Sequence, residues 1–273
     1  MIKKTVMICA MLSAVAVCAE IIVKSGNKIA FLGDSITQYG NNYPGGYVNL
    51  VIAGLEANGI KAEKVPAGIS GNKSNQMLER LERDVISKNP QFMTLSCGVN
   101  DVWHGKRGIP LPEYKKNITA LVEKAQAAGI KVCILTATMI TENPASNYNK
   151  QLAGYNDFLR KLAAEKNCLL VDLNDIMQKG IAQFKEKHPG FKGNLYTNDG
   201  VHMNAFGDSM MAENILRAFG LNDAQIAKAR TAWKGKKVSV GRVTLSAESI
   251  EKAAVKAAEK NLSIQGYIES LLE

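Results

Sequence analysis

The chain reads as an α/β protein, a three-layer α/β/α sandwich around a five-stranded parallel sheet with a flavodoxin-like strand order of 2-1-3-4-5. Three observations predict it. Short, mostly apolar runs of strand length recur around Ile29, Lys61, Phe92, Val132 and Leu169. Amphipathic stretches with helical spacing lie between them. The runs show little polar alternation, so both sheet faces are covered, as in parallel sheets whose crossovers are helices. At 273 residues the chain can bury one large core, or one core with a small appendage. Its 46% apolar and 22% charged content is ordinary for a globular protein, and 6% aromatic content makes the core mainly aliphatic.

The N-terminus stands apart. Met1-Ile2-Lys3-Lys4 is a short basic region, and Thr5–Ala19 is a continuous small and apolar run. Val17-Cys18-Ala19 offers small residues to a signal peptidase, with Glu20 as the first mature residue. Residues 1–19 therefore read as a secretory signal peptide, too short to be a membrane span. Val17 is a poor neighbour for a lipidated Cys18, so a lipoprotein anchor is not expected. The expectation is export, periplasmic or secreted, with no membrane attachment after cleavage. Removing Lys3 and Lys4 lowers the formal charge from +9 to +7. That suits an acidic polymer but is ordinarily just a solvated surface. Three cysteines then remain, Cys97, Cys133 and Cys168. An odd number in apolar runs reads as buried thiols, without a disulfide framework or metal-ligand spacing.

From residue 20 the elements follow in order. The apolar run Ile29–Leu32 stops at Gly33-Asp34-Ser35, which puts the Ser35 hydroxyl at the carboxyl edge of a sheet. Polar, Gly-containing sequence follows. Gly45–Asn58 is helical, Lys61–Pro66 a short strand, and Gly68–Asn72 a turn. Ser74–Asn89 carries Met77, Leu81, Val85 and Ile86 on one helical face, with Pro90 beyond. Gln91–Cys97 is a strand ending at Gly98. Pro112–Ala128 is a helix, Lys131–Thr136 a strand, Tyr148–Lys166 a long helix and Cys168–Leu173 a short strand. Helices over Ile176–Lys187 and Asn204–Phe219 complete a main domain spanning 20–220.

The remainder, 221–273, reads as a C-terminal helical extension. Lys234–Lys237 is basic and loop-like, Val238–Leu245 alternates, Ala247–Lys260 is helical, and Ile264–Leu272 suits a final helix. Strand, helix, helix with a basic lead-in faintly resembles ribbon-helix-helix DNA-binding modules. A packing element on the main domain is the stronger reading in an exported protein, so no nucleic-acid partner is expected.

Four segments at strand ends or connecting loops each hold a residue type that ester hydrolysis needs: Ser35, Gly71, Asn100, and the pair Asp199 and His202. Strands that run the same way bring the first three to one sheet edge. Taken singly, Ser35 reads as a helix N-cap, and Asn100-Asp101 and Asp199-Gly200 read as turns. Their joint order overturns those readings. Of the other histidines, His188 reads as solvated, and His104 follows Trp103 near the Asn100 loop.

GDSIT at 33–37, the SG of GISGNKS, GVND at 98–101 and DGVH at 199–202, in this order, resemble the SGNH (GDSL-type) hydrolases, a family of esterases and lipases. The resemblance runs from Gly33 to His202. It implies that Ser35 is the nucleophile, His202 the base and Asp199 the group that orients the imidazole. It further implies an oxyanion hole made by the backbone N–H groups of Ser35 and Gly71 and the side-chain amide of Asn100. The DxxH pair, and the lack of a G-x-S-x-G frame around Ser35 or Ser70, separate the chain from the α/β-hydrolases. The loop Thr136–Asn143 departs from many relatives in lacking a proline-rich run.

Asp34 and Asp101 flank these groups and are expected to order loops by hydrogen bonding. Asp34, Tyr39, Trp103 and His104 are candidate substrate-lining residues. Tyr39, Tyr43, Tyr47 and Trp103 offer flat amphipathic rings suited to sugar faces. The expected activity is a serine esterase acting on carboxylic, first of all acetyl, esters of carbohydrate or small molecules, with no cofactor and no metal. A lysophospholipase or thioesterase, or a non-catalytic carbohydrate-binding protein on the same fold, are the alternatives.

Overall fold

The computed structural model describes residues 20–240 and 243–271, so the signal-peptide expectation for 1–19 lies outside the described residues. Five strands form a parallel sheet: β1 (Lys28–Gly33), β2 (Glu63–Gly68), β3 (Phe92–Ser96), β4 (Lys131–Leu135) and β5 (Leu169–Val171). Their order is β2-β1-β3-β4-β5, as the alternation of strands and helices predicts. Register aligns the carboxyl ends. Gly33 pairs with Gly68, Leu32 with Leu95, Ser96 with Leu135, and Leu135 with Val171. β3 is buried throughout and β1 from Ile29 onward, which is why their sequences are almost continuously apolar.

The helices are α1 (Ser35–Asn42), α2 (Tyr47–Ala57), α3 (Ser74–Asp84), α4 (Val99–Trp103), α5 (Leu111–Ala127), α6 (Asn147–Glu165), α7 (Leu173–Lys187), α8 (Ala205–Ala218) and α9 (Asp223–Trp233). They cover both sheet faces. α3, α5 and α6 pack side by side, while α2 packs against α8 and α9. Beyond them, β6 (Lys237–Val240) and β7 (Val243–Ser246) pair antiparallel, and α10 (Ala247–Glu259) and α11 (Ile264–Glu269) follow.

Three elements differ from the sequence expectation. The stretch after β1 is helical, because the buried Asp34 carboxylate accepts from the Ile36 N–H at 2.9 Å and caps α1. α3 stops at Asp84 rather than running to Asn89. A 3₁₀ turn over Ile86–Lys88 follows, closed by Asn89 at φ 52°. α9 is opened by a capping box in which Asn222 and Gln225 bond each other's backbone N–H. Its apolar face, Ile226, Ala229 and Trp233, is buried, and the Trp233 indole N–H donates to the Leu50 carbonyl at 2.8 Å. α10 lays Ile250, Ala254 and Ala257 into the protein and packs on α8. The hydrophobic cluster that contains β1 and β3 extends to Trp233, Ile250 and Ile264.

Candidate active site

The site sits at the carboxyl edge of the sheet, where β1 turns into α1. Ser35 is the first residue of α1 and is nearly buried. Its Oγ lies 2.9 Å from His202 Nε2. On the far side of the imidazole, Nδ1 is 2.7 Å from Asp199 Oδ2. The other carboxylate oxygen, Oδ1, accepts from the backbone N–H groups of Val201 (2.9 Å) and His202 (2.8 Å), so the short D-x-x-H loop folds around its own aspartate. Burial alone would push the Asp199 carboxyl up. The His202 ring, these two N–H groups and the nearby imidazole charge outweigh it and hold Asp199 below the usual carboxylate range.

What fixes this loop is a group that the motifs do not name. Glu142, in the loop after β4, is buried and accepts from the N–H groups of Leu195 (2.6 Å), Tyr196 (2.7 Å) and Thr197 (2.8 Å) and from the Thr197 hydroxyl (2.9 Å). Burial pushes its carboxyl up, and these donors oppose that. The Thr197 hydroxyl in turn accepts from the Gly200 N–H at 3.1 Å, and the Thr141 N–H donates to the Gly200 carbonyl at 2.8 Å. Gly200 has φ +95°, and a Cβ there would lie 2.9 Å from Thr141 Cα. A lone glutamate in a polar loop reads as surface in sequence. Only the tertiary structure reveals four donors converging on it.

The remaining predicted groups lie in loops at the same edge of the sheet. Gly71 lies in the loop after β2 with φ +76°, and a Cβ there would meet nothing within 4 Å. Backbone conformation, not lack of room within the protein, is the constraint visible at this glycine. The loop is tied to α1 by Gln38, whose Oε1 accepts from Ser70 N–H at 3.0 Å and Oγ at 2.5 Å. Asn100, buried at the start of α4, donates through Nδ2 to Asn72 O at 3.2 Å and Asp34 Oδ2 at 3.3 Å. Asp101 accepts from the Ser74 N–H (3.0 Å) and hydroxyl (2.6 Å), which anchors α3 to α4. Asp34 and Asp101 thus order the loops as expected. Burial pushes Asp34 up to about 6, against the Ile36 N–H and the His202 charge, and it raises Asp101 as well.

Two expected lining residues are not at the surface. Asp34 is 2% exposed and lies beneath the site, its carboxylate consumed by capping and by Asn100. Tyr47 is fully buried and its hydroxyl pairs with Thr37 Oγ1 at 2.8 Å, because α2 turns this ring toward the sheet. Tyr39, Tyr43 and Trp103 are exposed. The Tyr39 and Trp103 rings lie 5.2 and 6.4 Å from the His202 ring, and Tyr43 adjoins Tyr39 at 6.1 Å. His104 is exposed beside Trp103, 6.5 Å between ring centroids. Together they make an aromatic rim around the imidazole. Among the described residues, no cluster of three or more His, Cys, Asp or Glu side chains is arranged to hold a metal ion.

Comparison with known proteins gives a consistent result. The chain is 28% identical over 219 residues to the acetylxylan esterase of Geobacillus stearothermophilus, covering 72% of this chain and 96% of that one. It is 26% identical over 192 residues to the esterase TesA of Pseudomonas aeruginosa, covering 70% and 87%. Among solved structures it is similar to the acetyl xylan esterase AlAXEase (TM-score 0.64, 35% identity, 70% of this chain and 98% of that chain). It also resembles Axe2, an acetylxylan esterase from Geobacillus stearothermophilus (TM-score 0.63, 26% identity, 74% and 97%). Axe2 has been solved as catalytic mutants in which a serine, an aspartate or a histidine is replaced by alanine. The model of the GDSL-like lipase/acylhydrolase family matches residues 31–210, from within β1 to within α8 and so across every group described above. The chain belongs to that family and is a carboxylic ester hydrolase.

Proposed function

We propose that this enzyme removes acetyl groups from carbohydrate by a Ser35–His202–Asp199 triad. The observation that carries the reading is the unbroken chain of contacts from Ser35 Oγ through His202 Nε2 and Nδ1 to Asp199 Oδ2. Ser35 Oγ attacks the ester carbonyl as its proton passes to His202 Nε2. Asp199 keeps the Nδ1–H tautomer and balances the imidazolium that forms. The oxyanion accepts from the N–H groups of Ser35 and Gly71 and from the Asn100 amide. Nε2 then returns the proton to the leaving alcohol. The acetyl group stays on Ser35 as an ester until a water, deprotonated by His202, releases it as acetate.

The carbohydrate assignment is supported by the acetylxylan esterases among the relatives and by the exposed rings of Tyr39, Tyr43 and Trp103, whose flat faces suit sugars. Export is supported by the basic start and apolar run of residues 1–19. No helix among the described residues is long and apolar enough to cross a membrane. The test is p-nitrophenol release from p-nitrophenyl acetate, followed by acetate release from acetylated xylo-oligosaccharides. Ser35→Ala and His202→Ala are each expected to lower kcat by about 10³-fold or more. Unchanged rates in both variants would remove the triad. Preference for long-chain thioesters or lysophospholipids over acetylated sugars would remove the substrate assignment while leaving the chemistry.

A further inference from the structure

We propose that Arg80 is a positioning residue for the oxyanion site, one buried guanidinium that holds the segments bearing Ser35, Gly71 and Asn100 in a fixed mutual arrangement. The inference rests on the assignment of those three groups as oxyanion donors. Arg80 projects from α3 and is 6% exposed. A buried guanidinium is costly unless its donors are met, and here they are met mostly on the segments that lead into the site. Nη2 donates to the Gly33 carbonyl at 2.9 Å, two residues before Ser35. Nη1 donates to the Ala67 carbonyl at 2.8 Å, near the end of β2. Nε donates to Asn72 Oδ1 at 2.7 Å, on the residue after Gly71. The Asn72 carbonyl in turn accepts the Asn100 amide at 3.2 Å.

The ends of β1 and β2 and the loop after β2 are therefore joined through one side chain, and Asn72 carries the link on to Asn100 after β3. Asp84 Oδ2, 3.1 Å from Nη1, supplies the counter-charge from the same helix. A purely structural ion pair would need only that partner. The planar fork of arginine is what lets three directions be served at once, and a lysine ammonium, a compact point donor, cannot span them. Oxyanion donors act only if they converge on the place where charge develops, so a shift of about 1 Å in any segment can cost up to about 100-fold in rate. Among the described residues, Arg80 makes no hydrogen bond or cation–π contact with Tyr39, Tyr43 or Trp103, so ground-state binding at the aromatic rim is left to other groups.

The experiment measures kcat and KM for p-nitrophenyl acetate in wild type, Ser35→Ala, Arg80→Lys, Arg80→Ala and Asn72→Ala, with thermal melts of each. Arg80→Lys is expected to lose about 10–100-fold in kcat with KM within about twofold of wild type. Asn72→Ala, a change outside the core that cuts the same link, is expected to show a smaller loss of the same kind. Millimolar guanidinium is expected to restore part of the kcat of Arg80→Ala and none of that of Ser35→Ala. Wild-type kcat in both Arg80→Lys and Asn72→Ala overturns the inference, and so does a loss in which KM rises as much as kcat falls. If Arg80→Ala fails to fold, Arg80→Lys and Asn72→Ala decide the matter. An inactive Ser35→Ala beside fully active Arg80 variants removes the inference alone, whereas a fully active Ser35→Ala removes the triad and the oxyanion assignment beneath it.

Discussion

Asn100 shows how much one side chain is asked to do. Its Nδ2 lies 3.2 Å from the Asn72 carbonyl and 3.3 Å from the Asp34 carboxylate, both longer than the usual N–H···O separation of about 2.9–3.0 Å. Loosely held hydrogens of this kind can be lent to an oxyanion that carries a full charge, because charge-assisted bonds are the stronger ones. Asn100→Ala is accordingly expected to lower kcat for p-nitrophenyl acetate by about 10²–10³-fold. KM should barely move, since the missing donor acts on charge that exists only in the transition state. Equal changes in both constants would instead mean that the amide binds the resting ester.

At the scale of elements, the loop after β4 is what holds the D-x-x-H loop still. Glu142 accepts four hydrogen bonds from residues 195–197, two positions before Asp199. Glu142→Gln keeps the volume but turns an acceptor into a donor that faces other donors. At least one buried N–H is then left unmet, at a cost of about 1–3 kcal/mol. A lower melting midpoint together with a lower kcat is expected, and an unchanged melting curve would show that the clasp contributes nothing. Neither Glu142 nor Arg80 was legible in the sequence, since a charged residue in a loop or helix ordinarily lies in solvent and only tertiary packing buried these two. The sheet was legible because its strands are apolar runs punctuated by glycine. Ser35, Gly71, Asn100, Asp199 and His202 could be singled out as candidates because each follows or lies between such runs. α1 is hard to see in sequence because Gly40, Asn41 and Asn42 are poor helix signals, while its cap, Asp34, reads there only as a neighbour of the serine. Tyr47 illustrates the converse, a ring near the serine in sequence that α2 carries into the core.

At the scale of the whole molecule, stability carries the imprint of a buried acid outside the triad. Asp208, in the first turn of α8, accepts from the Tyr47 N–H at 2.8 Å and so ties α8 to the start of α2. Burial pushes its carboxyl up to about 7 from an ordinary 3.8, with the Tyr47 N–H pulling the other way. The folded protein then holds this proton more tightly than the unfolded chain does. Its contribution is complete below about pH 4 and is lost as pH rises through about 7. Asp208→Asn keeps an oxygen for the Tyr47 N–H and has no charge to bury. Relative to wild type it is expected to gain on the order of 1–3 kcal/mol between pH 5 and pH 8. Thermal melts across that range check the sign, and a gain that is largest at low pH would refute it.

The bond between Ser35 and His202 joins positions 167 residues apart. In the proposed mechanism the base comes last, since His202 follows every strand of the sheet and lies in the loop that Glu142 clasps ahead of α8. On that mechanism a growing chain is expected to stay catalytically silent until the whole five-stranded sheet has been made. Hydrolysis of a simple chromogenic ester is then expected to report completed folding, with fragments that end before residue 202 inactive.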